Sequence, residues 1–430
     1  MSFLLDLLYG LAVCLGWPYL LYRRWRRGPT GVPLRAYFGY VPSRPVSASG
    51  AWIHGVSLGE INATRTIVAE LRRRSPETAV VISSTTQTGL ARARELYPKQ
   101  LVFRFPLDFS FALRTLLSRI RPSVIVLMEL EVWPNLIEVA AAGDIPVLIA
   151  NGRVTAERSL RRFHWPIVRR VAQRMFRQIR WVGAQDGTYA SRFIELGVPP
   201  ERVQVTGSVK YDAAETSDRI DGQDQLAEAM GIDRARPLWV CGSTGPGEEA
   251  MILDAYGRLL RDHADLQLAI IPRKPERFDE VAELIVKHQY ACLRRKSGAP
   301  LTPTGVVEPR PVFLGDTLGE LRKFYALATV VFVGRTLVPM GGSDVMEVAG
   351  LAKPIVVGPH TENFTEAVHL LLAEGGLRRI SGPASLPTVV SELLRHPERR
   401  EQMGRAGREA ILSRQGATRA TVDRILELLA

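Results

Sequence analysis

The chain has 430 residues, which is too many for one ordinary core and predicts two domains of roughly 150–200 residues each. Hydrophobic residues make up 46% and charged residues 23%, a composition that excludes a disordered chain. The formal net charge is +12 and the excess lies within residues 1–210, where 29 Lys and Arg stand against 14 Asp and Glu, so this half is expected to meet an anionic surface, a phosphorylated substrate or nucleic acid.

The first predicted element is an apolar segment from Phe3 to Tyr22, interrupted by Asp6 and followed by four arginines at positions 23–27. About 20 apolar residues suffice to cross a bilayer as a helix. Flanking arginines place the chain that follows on the cytoplasmic side. We therefore expect residues 1–27 to form a membrane anchor or an interfacial helix. A buried helix of a soluble domain is the alternative.

From residue 50, short β-rich runs alternate with helical stretches, which is typical of parallel sheets covered on both faces. The first series of predicted strands is Ala51–His54, Ala79–Ser83, Leu101–Phe105, Val124–Met128, Val147–Ala150, Trp181–Ala184 and Val203–Thr206. The second series is Leu238–Cys241, Gln267–Ile271, Tyr290–Leu293, Val312–Leu314, Val330–Val333 and Ile355–Val357. The predicted fold class is α/β, with two Rossmann-like, doubly wound domains facing a cleft.

The predicted domains are a Rossmann-like domain at 28–211, a polar linker at 212–235, a second Rossmann-like domain at 236–412 and a C-terminal helix at 413–430. Within the first domain, nine arginines between Arg153 and Arg180 alternate with apolar residues spaced three or four apart. This spacing predicts an amphipathic helix with a basic face, suited either to an anionic membrane surface or simply to solvent. Nucleic acid is disfavoured as a partner because no known binding motif accompanies the charge.

Candidate site residues lie where predicted strands end and helices begin, since ligands of such sheets bind there. Glu60 starts a helix after a strand and a Gly/Ser loop. A carboxylate in this position stays ionised and can act as a general base, or it can be only a helix cap. Glu129 and Glu131 precede a Trp-Pro-Asn helix start and are costly to desolvate without partners. Lys210 lies in the loop that closes the first domain and could balance negative charge on a substrate.

The second domain has its own polar junctions. Gly242–Glu249 predicts a phosphate-binding turn, although no Walker A lysine follows it. Asp344 and Glu347 follow two glycines at a helix start, where a carboxylate can accept hydrogen bonds from ribose hydroxyls. Further polar groups follow other strands, at Pro272–Arg277, Leu318–Glu320 and Gly358–Asn363. Together these junctions predict a site for a nucleotide-sugar donor.

These motifs resemble the Kdo transferases, which move 3-deoxy-D-manno-octulosonic acid (Kdo) from CMP-Kdo to the lipid A precursor in lipopolysaccharide core biosynthesis. The resemblance extends over nearly the whole chain. Its most specific parts are Ser-Leu-Gly-Glu, Glu-x-Glu-x-Trp-Pro-Asn, Thr-Gly-x-x-Lys-Tyr-Asp, Pro-Arg-x-Pro-Glu-Arg-Phe, Leu-Gly-Glu-Leu and Gly-Pro-His-x-x-Asn-Phe.

The resemblance implies a metal-independent, inverting transferase of the GT-B fold at the cytoplasmic face of the inner membrane, with a phosphorylated glycolipid as acceptor. No cofactor is implied, since CMP-Kdo is a substrate. The resemblance makes Glu60 the general base and Glu131 and Lys210 stabilisers of the transition state. It assigns CMP contacts to Pro272, Arg273, Leu318, Gly319, Glu320, Asp344, Val345, Met346 and Glu347.

The chain departs from the family pattern on the nucleotide side. The family usually has His-Asn where this chain has Ser343 and Asp344, and His where this chain has Lys274. Two alternatives to Kdo transfer therefore stay open. One is transfer of a different nucleotide-activated sugar to a membrane lipid, and the other is a non-catalytic scaffold with a degenerate donor site.

Overall fold

The computed structural model describes residues 33–43, 50–155, 166–297 and 300–430, together with residues 5–7, 9–11, 14 and 16. It divides into two compact units, Met1–Ala213 with Gln415–Ala430, and Ala214–Arg414. Much of the segment predicted as an anchor lies outside the described residues, including the four arginines at 23–27. Within the described parts, no helix has both the length and the apolar character that a membrane span requires.

The first unit is built on a seven-stranded sheet with the order β3-β2-β1-β4-β5-β6-β7, and every strand pair is parallel. The strands are Gly50–His54, Ala79–Ser84, Leu101–Arg104, Val124–Met128, Val147–Gly152, Trp181–Ala184 and Val203–Val205. From β1 the chain proceeds outward to β3 and then returns to β4 on the other side of β1. The carboxyl ends of β1 and β4 therefore form the switch point at which doubly wound sheets bind ligands.

Helices cover both faces of this sheet, and two groups of buried apolar side chains lie against them. The helices are α1 Leu58–Arg74, α2 Gln87–Leu96, α3 Ser110–Ile120, α4 Pro134–Ala142, α5 Pro166–Phe176, α6 Gly187–Leu196 and α7 Val209–Asp212. The predicted amphipathic character of α5 is confirmed in its described part, where Ala172, Met175 and Phe176 are buried and Arg170 and Arg174 are exposed. The arginines at 158, 161 and 162 lie outside the described residues.

The second unit contains an eight-stranded sheet with the order β11-β10-β12-β9-β8-β13-β14-β15. All pairs are parallel except β10 with β11. Its strands are Leu238–Thr244, Gln267–Pro272, Ala291–Arg294, Pro300–Leu301, Pro311–Leu314, Val330–Val333, Ile355–Val357 and Leu377–Arg379. From β8 the chain continues to β9 on one side, and it later returns to β13 on the other side of β8. The second switch point therefore lies at the carboxyl ends of β8 and β13.

The helices of the second unit surround one group of buried apolar side chains. They are α8 Gln223–Met230, α9 Glu248–Leu259, α10 Phe278–Lys287, α11 Leu321–Leu327, α12 Met346–Gly350, α13 Thr365–Ala373, α14 Leu386–Arg395 and α15 Pro397–Leu412. A final helix, α16 at Ala417–Leu429, returns to the first unit, where Val422 and Ile425 are fully buried. The carboxylate of Asp212 accepts hydrogen bonds from the amides of Gly416 and Thr418 and so caps α16.

The structure differs from the sequence prediction between residues 212 and 235. The boundary between the units lies after Ala213, and the segment expected to be a linker contains α8. Leu226, Ala227 and Met230 of this helix are buried within the second unit. Acidic residues surround these three positions, and a helix of only eight residues shows too few apolar positions for their spacing to be recognised. The helix was therefore not predicted from the sequence.

Candidate active site

The predicted base Glu60 lies at the carboxyl end of β1, in the first turn of α1. Its carboxylate accepts hydrogen bonds from the amides of Val56 at 2.9 Å and Ser57 at 3.1 Å, and its own amide donates to the Ser57 hydroxyl. This reciprocal arrangement is a capping box. Each carboxylate oxygen keeps a further lone pair, so capping is compatible with accepting a proton from a substrate hydroxyl. Glu60 is therefore both helix cap and candidate base.

An aromatic stack joins the Glu60 loop to the loop after β4. The His54 ring lies 4.5 Å from that of Phe105, which in turn lies 5.4 Å from Trp133. Burial lowers the pKa of His54 to about 3, so its ring is neutral, and one ring nitrogen bonds the Ser83 hydroxyl at 2.8 Å. The other ring nitrogen is buried and has no hydrogen-bond partner in the described chain. These tilted ring contacts connect the two loops that carry candidate catalytic carboxylates.

Glu129 and Glu131 lie at the carboxyl end of β4, beside β1. Burial, followed by the negative charges of Glu60 and Glu129, raises the pKa of Glu131 to about 7. Burial and the charge of Glu60 also raise the pKa of Glu129, against the opposing charges of Arg153 and Lys210. The structure thus brings the three carboxylates together at the first switch point. Glu129 has a φ of 56°, in the left-handed region that non-glycine residues adopt only occasionally.

Asn151 positions the loop that carries Lys210. Its side-chain oxygen accepts hydrogen bonds from the Ser208 hydroxyl and the Val209 amide, both at 3.2 Å. Asn151 is the second-to-last residue of β5 and has a φ of 55°. Lys210 is exposed at the start of α7, and its charge reaches Glu129. The first unit therefore holds the predicted lysine on the same side of the sheet as the carboxylates.

The second unit has a cavity of about 220 Å³ at its own switch point. Arg273, Asp344 and Glu347, three of the predicted nucleotide contacts, line it. Burial, and then the charge of Asp344, raise the pKa of Glu347, while Arg322 and Arg273 oppose the rise. The other lining residues are Ser243, Arg335, Gly342, Ser343 and Phe364. A small polar cavity with two guanidinium groups and two carboxylates can bind both a phosphate and a diol.

The predicted phosphate-binding turn at Gly242–Glu249 contains a carboxylate that binds backbone amides. Its buried Glu248 accepts hydrogen bonds from the amide of Gly245 at 2.9 Å and from the amides of Arg335, Thr336 and Leu337. Of these four amides, only that of Gly245 belongs to the predicted turn, and there the carboxylate of Glu248 takes the place that a phosphate would use. By tying two loops together, Glu248 holds the backbone of Arg335 at the cavity.

Not every predicted nucleotide contact reaches this cavity. Leu318 is 75% exposed, and Glu320 binds Arg295, Thr317 and Lys323 instead. Val345 is buried in the turn before α12. Of the positions that depart from the family pattern, Ser343 and Asp344 line the cavity, whereas Lys274 is exposed beside Glu276 and does not. Any effect of these departures on the donor should therefore come from positions 343 and 344.

No role was predicted from the sequence for His54, Asn151 or Arg335, and Ser243 was predicted only as part of the turn at Gly242–Glu249. All four lie at the carboxyl ends of the central strands β1, β5, β8 and β13, or directly after them. Asn151, Ser243 and Arg335 have positive φ angles of 55°, 55° and 61°. Strand ends were identified from the sequence, but positive φ at a non-glycine residue leaves no local sequence signal.

Comparisons with known proteins agree with the motifs. A family model described as "3-Deoxy-D-manno-octulosonic-acid transferase (kdotransferase)" matches residues 33–213. The 3-deoxy-D-manno-octulosonic acid transferase of Haemophilus influenzae is 33% identical over 382 residues, covering 88% of this chain and 86% of the relative. The enzyme of the same name from Bordetella pertussis is 33% identical over 425 residues, covering 95% of both chains.

Solved structures resemble the fold. A UDP-GlcNAc 2-epimerase from Neisseria meningitidis superposes with a TM-score of 0.55 at 15% identity, covering 88% of this chain and all of the other. MurG from Acinetobacter baumannii gives a TM-score of 0.53 at 12% identity, covering 88% of this chain and 99% of the other. At these identities the likeness concerns the fold alone, and it confirms the predicted GT-B class.

Proposed function

The chain belongs to the 3-deoxy-D-manno-octulosonic acid transferase family. On that premise we propose that it transfers Kdo from CMP-Kdo to a lipid A precursor, with inversion of configuration at the anomeric carbon. The chain is a glycosyltransferase. The observation that carries the proposal is the group of Glu60, Glu129 and Glu131 at the first switch point, with Lys210 near Glu129. A degenerate scaffold would have no need to bury three mutually repelling carboxylates.

In the proposed reaction Glu60 removes the proton from the acceptor hydroxyl, whose oxygen forms the new bond to the anomeric carbon as the bond to the CMP phosphate breaks. The amides of Val56 and Ser57 hold the Glu60 carboxylate in place. Glu131, when ionised, stabilises positive charge that develops on the sugar, as carboxylates do in glycoside hydrolysis. Lys210 balances negative charge on the reactants.

The second unit is proposed to hold the nucleotide. Arg273 and Arg335 line the cavity and supply positive charge for the departing phosphate. Asp344 and Glu347 line the same cavity, and in this proposal they accept hydrogen bonds from the ribose hydroxyls. Because guanidinium groups carry this charge, the proposed reaction uses no metal cofactor, and excess EDTA should leave the rate unchanged.

We place the enzyme at the cytoplasmic face of the inner membrane, where a phosphorylated glycolipid acceptor would reside. The exposed arginines of α5 support this proposal, because a basic helix face is attracted to anionic lipid. Arg170, Arg174 and Arg177 lie on one side of this helix and its end, around an open depression. Flotation with anionic but not with neutral vesicles would support the assignment.

The direct test of the proposed function is incubation with CMP-Kdo and a tetra-acylated, bisphosphorylated lipid A precursor, followed by mass spectrometry of the lipid. Addition of Kdo is expected, and the matched controls replace CMP-Kdo with UDP-GlcNAc or omit the acceptor. Transfer of a different sugar, with none of Kdo, would favour the alternative donor. Complete absence of transfer and of nucleotide binding would favour the scaffold.

Transfer is expected to slow as the pH falls below about 7, because protonation of Glu131 removes its negative charge. Glu129 is one of the neighbours that raise this pKa, so Glu129→Gln should lower it and move the acid limb of the kcat profile downward by up to about one pH unit. The measurement is kcat across about pH 5 to 9. Glu95→Gln, at an exposed position of α2, is the control. An acid limb that stays in place in Glu129→Gln would contradict the assignment to Glu131.

CMP is expected to stabilise the protein against thermal unfolding more than UDP, GDP or ADP, since a ligand that binds only the folded state raises its stability. Arg273→Ala should weaken CMP binding by about tenfold, the cost of losing a hydrogen bond to a charged group. The measurement is titration calorimetry with CMP, and Lys274→Ala is the control because Lys274 is a neighbouring cation outside the cavity. The difference between the two variants gives the contribution of the cavity to CMP affinity. Equal weakening in both variants would indicate only a general effect of charge.

A further inference from the structure

Helices α3 and α4 of the first unit lack a capping side chain at their own N-cap positions. Phe109 precedes α3 and Trp133 precedes α4, and neither offers a side-chain acceptor to the first amides of its helix. Unsatisfied amides at a buried helix start are costly, so an acceptor must come from elsewhere. For α4 it comes from Asp108, whose carboxylate accepts from the amides of Asn135 and Leu136, each at 3.0 Å.

For α3 the acceptor is Asp6, 104 residues earlier in the chain. One carboxylate oxygen of Asp6 accepts from the Ser110 amide at 2.8 Å, and the other accepts from the Ser110 hydroxyl at 2.5 Å. The first oxygen also accepts from the side-chain nitrogen of Asn135 at 2.9 Å. Asp6 therefore contacts the starts of both helices.

Tyr9 adds a second attachment from the same N-terminal segment. Its hydroxyl donates to Asp108 at 3.4 Å, and its ring packs edge-on against Phe109 at 6.1 Å. Burial raises the pKa of Asp108 to about 7, and the nearby charge of Asp6 adds to the rise. Asp6, Tyr9, Asp108, Ser110 and Asn135 together are named the N-terminal clasp.

The N-terminal clasp reaches the loop of the catalytic carboxylates through Asn135. Asn135 follows Glu131 by four residues, and Trp133 between them belongs to the stack with Phe105 and His54. The Asn135 side-chain nitrogen uses both of its hydrogens within the clasp, on Asp6 and on the Asp108 carbonyl at 2.6 Å. The asparagine of the Trp-Pro-Asn motif therefore fastens the end of the catalytic loop.

We infer that Asp6 is a positioning residue for transfer: the N-terminal segment, beyond any role in membrane attachment, holds the Glu129–Asn135 loop in its active geometry. Asp6 interrupts an otherwise apolar segment, and this role accounts for a charge that an anchor alone would not need. The activity readout rests on the proposed function, whereas the structural readout is independent of it.

The test compares full-length wild type with Asp6→Ala and with the isosteric Asp6→Asn, using Leu7→Ala as control because Leu7 is 60% exposed in the same segment. In detergent micelles, where membrane attachment is not needed, Asp6→Ala should lower kcat about tenfold and leave the Kd of CMP unchanged. Hydrogen exchange of the Ser110, Asn135 and Leu136 amides should be faster in Asp6→Ala and unchanged in Leu7→Ala. The double variant Asp6→Ala/Asn135→Ala should lose little more than Asn135→Ala alone, since contacting residues are not additive.

Unchanged exchange at these amides in Asp6→Ala and Asp6→Asn would overturn the inference whatever the activity. Faster exchange with wild-type kcat would also overturn it, because the clasp would then be structural only. An activity loss on vesicles that disappears in detergent would assign Asp6 to membrane attachment instead. If wild type transfers no Kdo, the proposed function fails, and the exchange data still decide whether Asp6 secures the loop.

Discussion

Glu60→Gln is expected to lower kcat for Kdo transfer by about 10³-fold, within the range for loss of a general base. Glutamine cannot take up the hydroxyl proton, but it can still accept the hydrogen bond from the Ser57 amide, since a capping box tolerates glutamine at this position. The variant should therefore keep its fold and lose its transfer activity. The measurement is initial transfer rate at saturating CMP-Kdo, with circular dichroism and thermal unfolding as checks of the fold.

Two further variants separate the roles of this carboxylate. Glu60→Ala should lose the same activity and, in addition, about 1 kcal/mol of stability because the amides of Val56 and Ser57 lose their acceptor. Glu95→Gln, the same replacement at an exposed position of the first unit, should retain wild-type activity. If Glu60→Gln keeps more than about a tenth of the wild-type kcat, a different group is the base.

The largest effect on stability is expected at Arg277, in the second unit. Its guanidinium forms two hydrogen bonds to the fully buried carboxylate of Glu249, at 2.6 and 3.1 Å, and Thr244 donates to the same carboxylate at 2.7 Å. Arg277→Met leaves this charge buried without its cation, which should lower the free energy of unfolding by about 3–5 kcal/mol. The melting temperature should fall by roughly 10 °C, measured by calorimetry.

The chain offers a matched control for this prediction. Lys274 pairs with Glu276 at 3.6 Å with both side chains 67% exposed, and such pairs contribute little. Lys274→Met should therefore change stability by less than about 0.5 kcal/mol. The double variant Glu249→Met/Arg277→Met should recover much of the loss, because removing both partners leaves no buried charge. A double variant as unstable as Arg277→Met would point to lost packing rather than an unpaired carboxylate.

The sequence predicted the central strands well because burial on both faces leaves a clear local pattern. Val124–Met128 was predicted with its observed bounds, since five apolar residues end at the polar Glu129. The same patterns predicted that Glu60 and Glu131 each lie where a strand ends and a helix begins. What local patterns could not give was the strand order, which makes β1 and β4 neighbours and so sets Glu60 beside Glu131.

The missed features depend on contacts between residues distant in sequence. Glu248 was grouped with a phosphate-binding turn because nothing nearby indicates that amides some 87–89 residues later converge on it. Asp6 was interpreted as a weakness in an apolar segment, since its partners lie 104 and 129 residues away. Helix α8 was missed for a different reason. Its sequence is polar and acidic on average, and its three buried apolar residues are too few to show a helical pattern.

The return of α16 to the first unit has a consequence for how the protein is made. The core of that unit includes the fully buried Val422 and Ile425, so it cannot close until residues 415–430 have left the ribosome. At about 5–20 residues per second, synthesis of the intervening second unit takes roughly 10–40 s. During this interval the apolar surface that α16 later covers is open to solvent. The order of synthesis therefore delays completion of the first unit's core until the whole second unit has been made, although most of the first unit is synthesised earlier.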